Sequence, residues 1–193
     1  QYLFLTWDVY DAPGVVGTLP VCSPPIRDSA AQTALWQALS RNDLQIVTTD
    51  HCPFTYEEKA SGLENYSQIP GGVPSIEMRF AALYSHGVRK GWLSLPQWVA
   101  QCCTNPARLM GLAKKGEITV GYDADLVIFD PEASKTLTPE TLHETAGWTP
   151  YAGLTLQGWP QTTLSRGKVV VQDGEFLGEA GNGRFLHRTQ ANL

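Results

Sequence analysis

The residues of this chain best suited to chemistry are gathered in one tetrapeptide, Asp50-His51-Cys52-Pro53. A carboxylate where a buried strand gives way to a loop either holds a hard or borderline metal ion or shuttles a proton. That end of a parallel sheet or α/β barrel is where catalytic groups are placed. A plainer reading stands beside it: Asp50 caps a turn and His51 fills a gap, an Asp-His pair being common in sequences. Ser23 also follows a strand end. It lacks the Gly-x-Ser-x-Gly setting of an activated nucleophile, so a hydroxyl or backbone contact to a ligand suits it better. Gly71-Gly72 lets main chain approach a ligand or simply makes a tight turn, and no Lys-Ser or Lys-Thr follows to make a phosphate loop. Cys52 reads as a structural thiol before a reactive one.

The remaining histidines add little. His86 is expected at a helix end, facing solvent or the helix C-terminus, and His143 and His187 fall in the later part and the tail. There is no His-x-His, His-Glu-x-x-His or Cys-x-x-Cys, so the chain does not assemble a three- or four-ligand metal site by itself.

The elements that must position these residues follow from pattern. Tyr2-Leu3-Phe4-Leu5 is strand-like, and the chain looks cut from something longer. Thr18–Cys22 is a short apolar run stopped by Pro24-Pro25. Asp28 or Ser29 caps a helix with Ala34, Leu35, Ala38 and Leu39 at helical spacing. Leu44–Val47 reads as a buried strand leading to Asp50. Strand, helix and strand so close together predict a βαβ unit and a parallel sheet or barrel. Residues 51–75 read as a long irregular loop, a length that is usually functional. Helices are expected over 76–86, 95–103 and 105–110. Beyond Gly111 the pattern turns to strands: Leu126–Phe129 is apolar between acids, and Asp173-Gly174 marks a hairpin.

Composition narrows the class. Of 193 residues, 42% are hydrophobic and 17% charged, which is globular. The net charge of −5 and the absence of a basic run give no footprint for nucleic acid or a membrane surface. No apolar stretch reaches the roughly 20 residues of a membrane span, and Gln1–Tyr10 has no signal-peptide features. Four sparsely spaced cysteines read as free thiols in a reducing, cytoplasmic setting.

Taken in order, several segments resemble the cyclic amidohydrolases, in the dihydropyrimidinase and D-hydantoinase (phenylhydantoinase-like) branch. They are Cys22-Ser23-Pro24-Pro25-Ile26-Arg27, Thr49-Asp50-His51-Cys52-Pro53-Phe54 and Ile69-Pro70-Gly71-Gly72-Val73-Pro74-Ser75-Ile76-Glu77. Asn105-Pro106-Ala107-Arg108, Gly121-Tyr122-Asp123-Ala124-Asp125, Pro150-Tyr151-Ala152-Gly153 and Ser165-Arg166-Gly167-Lys168 follow, ending at Gly183-Arg184-Phe185-Leu186.

The resemblance implies an α/β fold: the C-terminal part of a (β/α)8 TIM-like barrel over 1–112, then β-sandwich strands and tail over 113–193. It implies hydrolysis of a hydantoin or dihydropyrimidine ring by a hydroxide bridging two divalent metal ions, usually zinc. Asp50 matches the family's metal-binding aspartate and proton shuttle. Ser23 and Gly71 match its ring contacts, Gly71 replacing the family's asparagine in a contact made through main chain. The family's histidines and carboxylated lysine would lie upstream of Gln1, so this chain alone is expected to be inactive and to need the N-terminal half. Family members commonly form homotetramers. Two alternatives stand: an assembly homologue without the metal site, against which Asp50 argues, and a dihydroorotase- or allantoinase-type substrate.

Overall fold

A computed structural model describes residues 1–190. The chain forms two compact units, each assembled from segments distant in sequence. One comprises 1–44, 48–82 and 136–156, the other 45–47, 83–135 and the chain from 157 onward. The expected division near residue 112 concerns the domain plan of a longer protein and is a different partition.

In the first unit α1 (Val15–Thr18) follows a 3₁₀ turn at Trp7–Asp11, and α2 spans Ser29–Ser40. The sequence starts α2 as expected, for the Asp28 carboxylate accepts the Ala31 N–H at 2.8 Å. Its buried face carries Trp36 and Leu39. The Trp36 indole donates to Leu3 O at 3.2 Å, and Phe4 stands edge-on to both Trp36 and Tyr151. Tyr2–Leu5 is therefore a turn and not a strand: the Phe4 and Leu5 N–H groups return to Gln1 O. Thr18–Cys22 likewise bonds locally, Leu19 to Val15 and Val21 to Thr18. An apolar run becomes a strand only where a neighbour accepts its N–H groups, and here the nearest acceptors are local.

The core of this unit gathers Cys22, Ile26, Val73, Ala146 and Trp148, flanked by Tyr2, Leu5, Val9, Tyr10 and Leu19. Burying a side chain such as Ile26 contributes about 2 kcal/mol. The segment expected to be irregular contains α3 (Tyr56–Ala60) and a 3₁₀ turn at Tyr66–Gln68. A capping box starts α3: Glu58 N–H donates to the Thr55 hydroxyl, and Thr55 N–H to the Glu58 carboxylate.

Leu44–Val47 lacks a strand neighbour; the Val47 N–H reaches Gln101 O at 3.4 Å, and Gln45 O accepts from Asn105. The predicted helices all form, but interrupted. α4 (Arg79–Leu83) runs into a π-helical turn at Tyr84–Val88, and α5 (Leu95–Val99) runs through another at Ala100–Thr104 into α6 (Asn105–Leu109). Four strands follow, β1 (Leu126–Thr136), β2 (Thr155–Ser165), β3 (Lys168–Gln172) and β4 (Glu175–Phe176), adjacent in that order. β2–β3 and β3–β4 are antiparallel. The Asp173-Gly174 hairpin is where the sequence placed it. A second two-residue turn, Arg166-Gly167, joins β2 to β3, its Arg166 N–H held by the Asp125 carboxylate at 2.7 Å. Tyr84, Trp98 and Phe129 pack ring against ring in this unit, close enough to Gly158 that a Cβ there would lie 2.5 Å from Tyr84.

Candidate active site

Two stretches of the first unit run side by side. His51 and Val73 form a parallel bridge, and Cys52 N–H donates to Val73 O at 3.3 Å. Their closeness explains Gly72: a Cβ there would sit 2.4 Å from Cys52 O and 2.7 Å from its Cβ. Gly71 is different. A Cβ there would meet only Ser23 N and Cys22 Cα, at 3.8 and 3.9 Å.

Asp50, immediately before the bridge, is exposed and has φ of 51°, a left-handed conformation uncommon outside glycine. Among the described residues Asn42, Arg166 and Asp173 share that feature, and each of them lies in a turn. Asp50 is the one outside a turn, immediately before the His51–Val73 bridge. Such outliers persist where surroundings enforce them, often at functional sites. The enforcement is visible next door. His51 Nδ1 accepts the N–H groups of Ser75 and Ile76 at 3.0 and 3.2 Å, and the Ser75 hydroxyl donates to Thr49 O at 3.3 Å. The proton of a neutral His51 is thereby placed on Nε2. His51 and the Ser75 hydroxyl together tie the chain on both sides of Asp50 to the segment that begins at Ser75.

Ser23 and Gly71 come together. Both line a cavity of about 760 Å³, with Tyr10, Tyr66, Ser67 and Ile69 among its walls. Asp50 lies outside that lining. Tyr2 connects the two neighbourhoods: its hydroxyl donates to Pro24 O at 2.7 Å and is pushed up to about 12, mainly by burial, with the Asp50 charge adding to the rise.

Sequence reasoning passed over three groups near these loops. Lys59 is completely buried, its ammonium donating to Val21 O at 2.8 Å and Pro70 O at 2.7 Å. Its one signal was the Thr55-x-x-Glu58 capping box, which announces a helix but not a buried cation. Glu144 has a side chain only 6% exposed, 4.0 Å from His51 Nδ1. Burial, and then the Glu77 carboxylate, push its carboxyl above the usual range. Tyr151 is buried beside it and raised chiefly by burial. Nothing in the sequence marked either.

The other histidines are accounted for. His143 is exposed and pairs with Glu77 at 3.0 Å; His86 is half-buried in the last turn of a helical segment that is π-helical there, at a helix end as expected; His187 packs edge-on to Phe185. Among the described residues, none of Cys22, Cys52, Cys102 and Cys103 forms a disulfide. Among the described residues, no group of three or more His, Cys, Asp or Glu gathers to hold a metal, and no helix is long and apolar enough to cross a membrane.

An amidohydrolase-family profile matches residues 22–170, and the chain belongs to that family. It is 41% identical to a D-hydantoinase of Streptomyces coelicolor over 97% of its own length and 40% of the relative's. Among solved structures it superposes on the D-hydantoinase of Bacillus sp. AR9 with a TM-score of 0.97 at 43% identity, covering 100% of this chain and 43% of the other. The dihydropyrimidinase of Brevibacillus agri NCHU1002 gives 0.94 at 41% identity, covering 98% and 41%. The expected fold class and branch are thus correct. The chain spans about 40% of the length of the curated relatives it matches.

Proposed function

We propose that the complete protein hydrolyses a cyclic amide or imide ring, a hydantoin or dihydropyrimidine, with Asp50 as its proton-handling carboxylate. The observation that carries this is Asp50 itself. It is exposed and held left-handed immediately before the His51–Val73 bridge, in a chain that superposes on D-hydantoinases along its whole length.

Asp50 offers two carboxylate oxygens of the kind divalent ions accept, so it fits as one ligand. The rest of the ligand set, histidines and a carboxylated lysine, belongs to other parts of the complete protein. A pair of bound divalent ions, zinc in our reading, would supply activation of water near neutral pH. Asp50 takes the proton from the attacking water on one carboxylate oxygen and returns it to the departing ring nitrogen, acting as base and then acid. Ser23, through its hydroxyl or main chain, and the main chain of Gly71 hold the ring in the cavity both residues line. We place this chemistry in a reducing cytoplasm and in a homotetramer, with no nucleic-acid or membrane partner, and infer that the 193-residue chain alone does not turn over substrate.

The test is ring opening of 5-phenylhydantoin to its carbamoyl amino acid. The complete protein should perform it, and the isolated chain should not. Asp50→Ala should lower turnover on the order of 10²–10⁴-fold while the thermal midpoint stays within a few degrees. An Asp50→Ala protein of near-normal activity refutes the assignment.

A further inference from the structure

Lys59 has no solvent exposure, although lysine is almost never fully buried. Such a cation is costly to desolvate unless its N–H groups find acceptors, and here they do. Two go to Val21 O and Pro70 O, at 2.8 and 2.7 Å. The ammonium also lies 5.6 Å from the ring centre of Phe54 and 5.9 Å from that of Trp148, within the range in which aromatic faces attract cations. The rings are themselves fixed, since the Trp148 indole donates to Phe54 O at 2.8 Å. The short helix beneath is secured by its capping box.

The two carbonyls are not arbitrary. Val21 is two residues before Ser23, and Pro70 immediately precedes Gly71. Val21 O also accepts the Gly72 N–H at 3.0 Å. One ammonium therefore ties together the adjacent main chains that deliver Ser23 and Gly71 to the lining of the same cavity. An apolar side chain would fill the volume but leave both carbonyls without that donor.

We propose that Lys59 is a positioning residue for substrate: it holds the adjoining Ser23 and Gly71 segments in register and so sets the shape of the cavity lining that receives the ring. This rests on the hydrolase reading, because it assigns Ser23 and Gly71 to the ring. It predicts an effect on binding and not on the proton transfers at Asp50. Burial pulls the Lys59 amine down to about 8, the Cys22 and Cys52 sulfurs opposing, in keeping with a cation held away from water.

The experiment uses the complete protein, with Lys59→Met and Lys59→Gln compared with the parent on 5-phenylhydantoin. A rise in KM of tenfold or more with kcat within threefold, in a variant whose thermal midpoint and metal content match the parent's, is the expected result. Unchanged KM, or a fall in kcat with KM unchanged, overturns the proposal. If neither variant folds, hydrogen exchange on the unaltered protein decides. The Gly72 amide should be protected to the level of α2 amides, and exchange at the rate of residues 63–65 overturns the tether. If the parent itself fails to open the ring, the hydrolase reading falls, and the exchange result still reports whether the two segments are pinned.

Discussion

The loops that carry Asp50, Ser23 and Gly71 and the β3–β4 hairpin keep their shapes by opposite means. The hairpin is local. Asp173 and Gly174, with φ of 50° and 85°, turn the chain in two residues and set Gln172 against Glu175 and Val171 against Phe176. The site loops are held by side chains bonded to distant main chain: His51 to Ser75 and Ile76, Lys59 to Val21 across 38 residues, Trp148 to Phe54 across 94. A turn encoded by its own two residues survives almost any change elsewhere. A loop encoded by distant side chains can be placed more freely, but each placement depends on a few atoms.

That contrast is exposed most sharply at the glycine pair. Gly72→Ala should cost about 3 kcal/mol, since its Cβ overlaps Cys52 main chain that is tied into the parallel bridge and cannot withdraw. Gly71→Ala should stay within about 0.5 kcal/mol, because its Cβ makes ordinary contacts. Thermal midpoints of the two variants measure the difference. Equal shifts would show the site loops to be softer than their bonding implies. Trp148→Phe comes next, with a loss of about 1–2 kcal/mol from leaving Phe54 O without its donor, read from the same midpoints.

Local encoding also explains what could be read beforehand. The α2 start at Asp28 and the Asp173-Gly174 turn depend on residues next to one another, and both were legible. The Arg166-Gly167 turn was not, because Arg166 is stabilised there by Asp125 from 41 residues away. The strands expected at 2–5, 18–22 and 44–47 failed for a related reason: strand propensity names a segment but not its partner, and among the described residues no strand pairs with them in a ladder. At the site, Asp50, Ser23 and Gly71 were found by resemblance, which carries chemistry along a motif. Lys59, Glu144 and Tyr151 were invisible because burial of a polar group is a property of the packed structure.

The buried cation gives a pH signature that the hairpin lacks. Lys59 has an amine near 8 in the folded chain against an ordinary 10.5. Between those values the unfolded chain holds the extra proton, so stability rises with pH across the interval. The half-buried Tyr2 and Tyr10 and the buried Tyr151 hydroxyls are raised, and above about 10 they reverse the trend, because the unfolded chain then releases protons first. The clean window is therefore pH 8 to 10. There the parent's stability should climb by up to about 1 kcal/mol per pH unit, and Lys59→Met should be flat by comparison. A parent curve parallel to the variant's would mean that the ammonium is not confined as its bonds imply.

The last effect belongs to the hairpin. Gly174→Ala places a Cβ at φ of 85° with nothing within 4 Å, so the cost is conformational and not steric. It should be about 1 kcal/mol. The loss should appear as faster hydrogen exchange at Leu177, whose amide donates to Val170 O at 2.9 Å, with exchange at Gly72 unchanged. The two amides make a fair pair: each is held by a single main-chain carbonyl, one across six residues of hairpin and one from Gly72 back to Val21. If Gly174→Ala also loosens Gly72, the hairpin is not the self-contained element its bonding describes, and stability is shared more widely along the chain than side-chain tethers alone provide.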